Sequence, residues 1–153
     1  MSPVKKERAG LHVKLFGGFE TRLPTGAAVA LPTRKAQALL AYLALRPGQT
    51  HPRDKLTALL WPDRGQAQAR DSLRHTLVEL RKVLPARPPS LTAEGRAVAL
   101  DPAAIDIDVV RFEALVNAGT VDDLTRAAEM YQGNFLEGFV LRESAFEEWL
   151  VAR

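Results

Sequence analysis

Basic and polar side chains recur along residues 66–82 at spacings that would place them on one side of a helix. With about 100° per residue, the apolar residues of this segment form a stripe within about 40° of Leu73. The stripe consists of Ala69, Leu73, Leu77, Leu80 and Leu84. Outside it lie side chains that form hydrogen bonds or carry positive charge: Gln66, Gln68, Arg70, Ser72, Arg74, His75, Arg81 and Lys82. We therefore expect a helix with one buried face and one basic, polar face.

The chemistry available to this polar face is recognition, without making or breaking covalent bonds. Arg and Lys neutralise phosphates and bond to base edges, and Ser, Gln and His add neutral donors and acceptors. The pattern predicts a helix that contacts nucleic acid. One alternative stays open from these residues alone, namely an amphipathic surface helix whose basic face is only solvated.

Three more candidates stand at the start of the first predicted helix. Thr33 is a predicted N-cap, and Arg34 and Lys35 follow it directly. The backbone N–H groups of a first helical turn, together with such side chains, can hold a phosphate. The alternative is that these residues only cap the helix.

Further basic residues are predicted at other places that would face a DNA backbone. Arg53 and Lys55 open the second predicted helix, and Arg64 lies in the turn before the third. Arg96 follows a turn at Gly95, and arginines at such hairpin tips are attracted into narrow minor grooves. The alternative for Arg96 is a solubilising turn residue.

The elements that position these side chains follow from hydrophobic periodicity and turn residues. Alternating polar and apolar side chains predict strands at 12–16 and 19–23, and a short apolar run after the turn at 24–26 predicts a third strand at 27–31. Together they would form a small antiparallel meander. Helical periodicity and breaker residues predict helices at 34–45, 52–61 and 66–84. A strand, a turn and a strand are predicted within 91–100.

Three helices followed by a β-hairpin is the order of a winged helix-turn-helix. In that fold the third helix enters the major groove, the second lies across it, and the hairpin tip reaches neighbouring backbone or minor groove. Beyond residue 101 the sequence predicts helices at 108–118 and 121–131, and a final helix capped by Ser144.

The net charge of the chain changes sign near residue 101. The 153 residues carry a net charge of +3. Residues 1–100 contain 17 Lys and Arg against 7 Asp and Glu, a net charge of +10, whereas residues 101–153 contain 4 against 11, a net charge of −7. A basic part suits a polyanion, and an acidic part suits a different partner. Within the acidic part, Glu143, Glu147 and Glu148 are predicted to form a solvated helix face.

Several function classes are excluded or disfavoured. The chain has no cysteine, which excludes disulfides, Cys-ligated zinc and iron–sulfur clusters. We expect no metal site, because His12, His51 and His75 are isolated and Asp106 and Asp108 are predicted strand-end or cap residues. No nucleophile stands beside a base, so we expect neither an enzyme nor a cofactor. No apolar run approaches about 18 residues and no signal-peptide pattern is seen, which predicts a cytoplasmic, nucleoid-associated protein without membrane contact.

Seven stretches of the sequence together resemble a known family. They are LFGGFE, LPTRKAQALLAYLAL, RDKLTALLW, ARDSLRHTLVELRKVL, DVVRFEALV, AAEMYQGNFLEGF and FEEWLVAR. The first four resemble the DNA-binding domain of the SARP family, the bacterial antibiotic-regulatory transcriptional activators. The last three resemble the start of the activation domain that follows in that family, so the resemblance covers nearly all of residues 11–153.

The resemblance implies an α+β architecture and a set of partners. It implies an OmpR/PhoB-type winged helix-turn-helix with an N-terminal antiparallel sheet, followed by an all-α, TPR-like segment that we expect to be truncated. The implied division is a basic tail at 1–10, a DNA-binding domain at 11–101 and a helical part at 102–153. The implied partners are double-stranded DNA at promoter direct repeats and RNA polymerase holoenzyme. Tandem binding is also implied, and a homodimer on the DNA is one form of it.

A second function class stays open, a protein-interaction module built on a winged helix and TPR-like helices. The discriminating feature is the placement of the positive charges, because a scaffold has no need for them on one surface. The relevant residues are Arg34, Lys35, Arg53, Arg70, Arg74 and Arg96.

Overall fold

The computed structural model describes residues 11–84, 91–93, 95–131, 133–139, 141 and 143–152. Within them the chain is α+β, with six helices and two small sheets. The strands are β1 (Leu11–Lys14), β2 (Glu20–Arg22), β3 (His51–Pro52), β4 (Leu91–Thr92), β5 (Ala97–Leu100) and β6 (Ile105–Ile107). The helices are α1 (Arg34–Ala44), α2 (Arg53–Leu60), α3 (Gln66–Val83), α4 (Asp108–Ala118), α5 (Val121–Met130) and α6 (Ser144–Val151). The predicted tail at 1–10 lies outside the described residues.

The first sheet differs from the predicted meander. Its order is β2-β1-β6, with β1 antiparallel to β2 and parallel to β6. The predicted strand at 27–31 does not form as a regular strand, because the segment pairs antiparallel with the chain around β2 only through the bridge from Ala28 to Arg22 and two flanking backbone hydrogen bonds. The physical reason is burial: Ala27, Ala28 and Ala30 are exposed, whereas Ile105 and Ile107 of β6 are buried against β1. The expectation of a purely antiparallel sheet is therefore corrected to a mixed one.

The three helices and the hairpin follow the predicted order. α1, α2 and α3 lie within two residues of their predicted bounds, and β4 pairs antiparallel with β5. We call the β4–β5 hairpin the wing. Its inner strand β5 also pairs with β3, where His51 lies opposite Val98. This pairing joins the start of α2 to the wing, and a two-residue strand is too short for periodicity to predict.

The buried face of α3 is the predicted apolar stripe. Leu73 and Leu80 are fully buried, and Ala69, Leu77 and Leu84 are nearly so. This stripe packs α3 against α1 and α2, and it turns the opposite face outward. The orientation of the candidate residues on α3 therefore follows from burial of apolar area.

The segment after residue 101 packs on the same core. Phe146 of α6 is fully buried within the cluster that contains the residues of α1 and α3, and α6 packs against α2. β6, which also lies after residue 101, pairs with β1. The packing thus crosses the division expected at residue 101, and separate folding of residues 11–101 stays a prediction.

The helices of the acidic part begin near their predicted positions. Thr120 caps α5 as expected, since its Oγ1 accepts a hydrogen bond from the backbone N–H of Asp123 at 3.0 Å. The prediction for α6 is wrong by one residue, because Ser144 is its first residue and Glu143 occupies the N-cap position. Among the described residues, no helix is both long and apolar enough to span a bilayer.

Candidate nucleic-acid interface

The outward face of α3 carries five of the thirteen predicted contact residues. Arg70, Arg74, His75, Arg81 and Lys82 are all exposed. Ser72 is half-buried. This face combines four positive side chains with neutral groups, as required for contacts to phosphates and base edges.

A groove of about 820 Å³ runs between the start of α2, the first half of α3 and the tip of the wing. We call it the basic groove. It is lined by Pro52, Arg53, Asp54, Arg70, Asp71, Leu73, Arg74, Gly95 and Arg96. The fold therefore brings together four predicted residues from three elements that are up to 43 positions apart in sequence, namely Arg53, Arg70, Arg74 and Arg96.

Two carboxylates hold arginines of the basic groove in this state. Asp71 Oδ1 accepts a hydrogen bond from Arg74 Nη2 at 2.8 Å, and Asp54 Oδ1 lies 3.8 Å from Arg70 Nε. All four side chains are more than half exposed, so each ion pair is weak and easily exchanged. A phosphate or a base edge can replace a carboxylate as the acceptor for either guanidinium.

Arg53 has a structural role in addition to its predicted one. Its Nε donates to the carbonyl of Gly95 at 2.9 Å, and its Nη2 donates to the carbonyl of Ala93 at 2.5 Å. Its own backbone N–H donates to the carbonyl of Arg96 at 2.8 Å. Arg53 thus ties the start of α2 to the wing and fixes the position of the wing tip.

Two other predicted contact residues, Arg64 and Ser72, join the turn before α3 to the helix. Arg64 Nη1 donates to Ser72 Oγ at 2.6 Å across the helix start. Arg64 stays exposed, so its remaining donors face solvent. The pair therefore links the turn to the start of α3, and neither residue lines the basic groove.

The candidates at the start of α1 serve internal contacts. Thr33 Oγ1 accepts from the backbone N–H of Ala36 at 3.0 Å, as an N-cap does. Lys35 Nζ donates to the carbonyl of Leu60 and to Glu143 Oε2, the latter at 2.6 Å. The Arg34 guanidinium lies 5.8 Å from the ring centre of Phe139. None of these three residues lines the basic groove.

The contact of Glu143 with Lys35 also corrects a prediction for the acidic part. Glu143 was expected on a solvated helix face, yet its side chain is only 22% exposed and pairs with Lys35. Glu147 is half-buried, and its Oε1 accepts from the backbone N–H of Leu141 at 3.2 Å. Only Glu148 of the three predicted residues is exposed.

Other predicted residues surround the basic groove without lining it. Lys55 is exposed one turn into α2, and Arg81 and Lys82 occupy the last turn of α3. The side chains of His75, Arg81, Lys82 and Arg96 form no hydrogen bond or ion pair with any residue that the structure describes. Cations at a helix C-terminus are also favoured by the helix dipole.

Sequence reasoning missed the two carboxylates of the groove. Asp54 and Asp71 line it together with the arginines. The available signal for Asp71 was its position three residues before Arg74, since such pairs face each other on a helix. No local signal places Asp54 beside Arg70, because that contact depends on how α2 packs on α3.

The two carboxylates considered for metal binding, Asp106 and Asp108, have other partners. Both oxygens of Asp108 accept from backbone N–H groups, those of Leu15, Phe16 and Val109, at 2.7–3.1 Å. Asp106 pairs with His12 at 3.0 Å and with Arg111 at 2.6 Å. Within the described ranges, no three His, Asp or Glu residues are grouped so as to hold a metal ion.

A solved structure shares this architecture. Over 95% of its length the chain superimposes on Mycobacterium tuberculosis EmbR in complex with a low-affinity phosphopeptide, with a TM-score of 0.76 and 23% sequence identity. The matched region is 42% of the EmbR chain, so the present chain spans less than half the length of that protein. No protein-family model matches the chain, and no curated protein matches its sequence. At this identity the likeness shows the fold, and we conclude that the chain adopts the α+β fold of the matched part of EmbR.

Proposed function

We propose that this protein is a sequence-specific, DNA-binding regulator of transcription that acts by binding, without catalysis. The observation that carries the proposal is the basic groove. Four arginines from α2, α3 and the wing line it, next to the exposed face of α3. A surface with this charge and these donors suits the phosphates and base edges of duplex DNA.

Each element has a role in the proposed mode of binding. α3 enters the major groove, with Arg70, Ser72, Arg74 and His75 near the bases. Arg81, Lys82, Lys55 and Arg64 neutralise phosphates on either side, and Arg96 at the wing tip reaches the minor groove. Arg53 fixes the distance between the wing tip and α3, so that both can contact the same duplex.

Thr33, Arg34 and Lys35 have a weaker case within this proposal. Lys35 is bound internally by Glu143 and by the carbonyl of Leu60. A phosphate at the start of α1 would compete with those contacts. We therefore assign Thr33 and Lys35 first to the packing of α1, and their DNA contact stays a prediction.

The family resemblance supports the finer part of the proposal. SARP-family proteins are activators with an OmpR/PhoB-type winged helix, and the fold shared with EmbR agrees with a winged helix followed by helices. On this basis the target is a promoter direct repeat, bound in tandem, and the location is the cytoplasm at the nucleoid. The acidic helices α4 and α5 then contact RNA polymerase holoenzyme.

The test is selection of bound sequences from a random duplex library, followed by affinity measurement at several salt concentrations. We expect an enriched motif. We also expect the logarithm of the association constant to fall with the logarithm of salt concentration, with a slope of about −3 or steeper. Such a slope corresponds to release of counterions from three or more phosphates.

Two results would count against the proposal. One is failure to enrich any motif while the protein is folded, as shown by its circular dichroism spectrum. The other is an affinity that stays flat between about 50 and 200 mM salt, because phosphate contacts by arginine require salt dependence.

A specific observation favours protein contacts as a second function of the helical part. Val116, Val121 and Leu124 are exposed by 43%, 81% and 46% on the neighbouring helices α4 and α5. Neighbouring exposed apolar side chains are common where proteins associate. If the chain is an interaction module only, it should bind no duplex at low salt. In that case Val121→Asp and Leu124→Asp should abolish its regulatory effect in cells.

A further inference from the structure

A second cavity lies next to the start of α2, where His51 and Lys55 in its wall flank residues 52–54 of the basic groove along the chain. Its volume is about 460 Å³, within the range of about 300–1,000 Å³ that is usual for small-molecule sites. Its walls come from α1, α2, α4 and α6 and from the segments around Phe16, His51 and Phe135. We call it the aromatic cavity. No residue that lines it also lines the basic groove.

Five of the twelve residues that line the aromatic cavity carry aromatic rings, and polar and charged side chains lie among them. Tyr42 and Trp149 lie with ring centres 5.0 Å apart, and Phe135 and Trp149 lie 5.8 Å apart. Phe16 and Phe112 meet edge to face at 5.2 Å. These rings are tilted or perpendicular to each other and offer both faces and edges to an occupant. Such walls suit a flat, apolar group.

One buried polar side chain in the wall has no partner. His51 is 3% exposed, and neither ring nitrogen forms a hydrogen bond with a described residue. Burial, and after it the charge of Lys55, lower the pKa of His51 below its ordinary 6.5. The ring is therefore neutral at pH 7, with one N–H donor and one acceptor. Buried polar groups of native proteins are rarely left unpaired, so this imidazole points to an occupant with polar atoms.

The charges at the edge of the cavity are mainly positive. Arg46 and Lys55 are exposed there, opposite the single carboxylate of Glu113. None of the three forms an ion pair with any residue in the described ranges. An anionic group on the occupant would be attracted to this edge while the flat part enters between the rings.

We propose that the aromatic cavity binds a small planar organic anion, such as an aromatic carboxylate. The ring system lies between Tyr42, Phe112 and Trp149. The carboxylate lies at the edge near Arg46 and Lys55, and a polar atom of the ligand pairs with His51 after a small rotation of the imidazole.

The place of the cavity also links the ligand to the wing. His51 lies in β3, which pairs with β5, and Arg53 two residues later holds the wing tip. A ligand that pairs with His51 would therefore alter the position of the wing tip, and the affinity for DNA would change with it. That consequence rests on the proposed function, whereas ligand binding itself does not.

The test is titration of the ¹⁵N-labelled chain with sodium 2-naphthoate, followed by NMR chemical shifts. The neutral analogue 2-naphthamide is titrated in parallel. We expect saturable shifts at Tyr42, His51 and the indole N–H of Trp149, and tighter binding of the anion. Trp61, which lies beside Lys35, is the internal reference and should not shift. Because no DNA is present, failure here leaves the proposed function standing.

Two exposed variants give the matched comparison. Arg46→Gln should weaken 2-naphthoate binding by about two- to fivefold and Glu113→Gln should strengthen it by a similar factor, with 2-naphthamide unaffected by either. Both positions are exposed, so both variants should fold. Shifts that are absent up to the solubility limit, or that scatter over residues outside the cavity, would overturn the proposal. Equal responses of the two probes to both variants would overturn the assignment of an anion.

Discussion

At the scale of single residues, the basic groove is a balance between arginines and carboxylates. Arg74 donates a hydrogen bond to Asp71, and Arg70 lies near Asp54. In the proposed mode of DNA binding, Arg74 exchanges this acceptor for one on the duplex. There the two carboxylates would repel phosphates, lower the affinity for every duplex and limit binding to duplexes that offer good contacts.

This balance predicts the effect of neutralising one carboxylate. Asp71→Asn should raise the affinity for DNA by about 1 kcal/mol, roughly fivefold, because it removes a repulsion and releases Arg74. The gain should shrink as salt rises. Fluorescence anisotropy with a labelled duplex measures it.

The control for that change is Asp122→Asn on α5, an exposed carboxylate of the acidic part. It removes the same charge and should alter affinity far less. Equal gains from both variants would show that only the net charge of the protein matters, and would remove Asp71 from the interface.

His51 gives a second prediction at this scale, through its lowered pKa. The unfolded chain takes up a proton at this residue below about pH 6.5, whereas the folded chain takes it up only at lower pH. The unfolded state therefore binds more protons in that window, and stability is lost as the pH falls through it.

We expect the free energy of unfolding to drop more in the wild type than in His51→Phe between about pH 7.5 and about pH 5.5. Urea denaturation at several pH values measures the difference. A parallel pH dependence in the two proteins would mean that His51 does not contribute to it.

At the scale of elements, the wing depends on a side chain from another element. Arg53 donates to the carbonyls of Gly95 and Ala93, and β3 adds a pair of residues to the inner strand. A hairpin of this length has little stability of its own. Its position relative to α3 is therefore set by Arg53 and by β3.

Arg53→Gln should loosen the wing without unfolding the three-helix core. We expect backbone amides of β5 to exchange with solvent about fivefold faster, a loss of about 1 kcal/mol, while amides in the middle of α1 and α3 are unchanged. Hydrogen exchange followed by NMR measures both.

The matched variant is Arg126→Gln, an exposed arginine on α5 that should affect neither set of amides. Uniform acceleration across β5, α1 and α3 in Arg53→Gln would indicate global destabilisation and contradict a local role at the wing.

The elements also show which parts of the fold were accessible from sequence. Helices with a strong apolar stripe, α3 above all, were predicted within two residues of their bounds, because burial of that stripe decides both their position and their orientation. The segment 27–31 forms a bridge and no regular strand, since its small alanines are exposed and bury little apolar area. β6 was missed, because its pairing with β1 joins residues more than 90 positions apart.

At the scale of the whole molecule, the charge division does not correspond to a gap in the packing. The sequence places a change from basic to acidic composition at residue 101, but Phe146, Trp149 and Glu143 from the acidic part pack on α1 and α2. The roles of Lys35 and Arg53 were hidden for the same reason. Both residues are basic and stand near the start of a helix, which suits a contact with DNA. In the structure, however, Lys35 pairs with Glu143, which is 108 positions away, and Arg53 Nε donates to a carbonyl that is 42 positions away.

The ion pair of Lys35 with Glu143 predicts a measurable coupling between the two parts. Both side chains are about three-quarters buried, and Lys35 also bonds with the carbonyl of Leu60. A double-mutant cycle of Lys35→Met and Glu143→Gln should give a coupling free energy of about 0.5–1 kcal/mol in unfolding experiments. Additive effects of the two changes would contradict a stabilising contact.

The central claim, that the α3 face beside the wing reads DNA, is tested most directly by comparing Arg74→Ala with Arg126→Ala. The measurement is the affinity of each variant for a selected duplex and for a scrambled one at the same salt. Arg74→Ala should lose about 1–3 kcal/mol on the selected duplex and clearly less on the scrambled one, whereas Arg126→Ala should change neither. Equal losses for Arg74→Ala on both duplexes, or no loss at all, would contradict the claim.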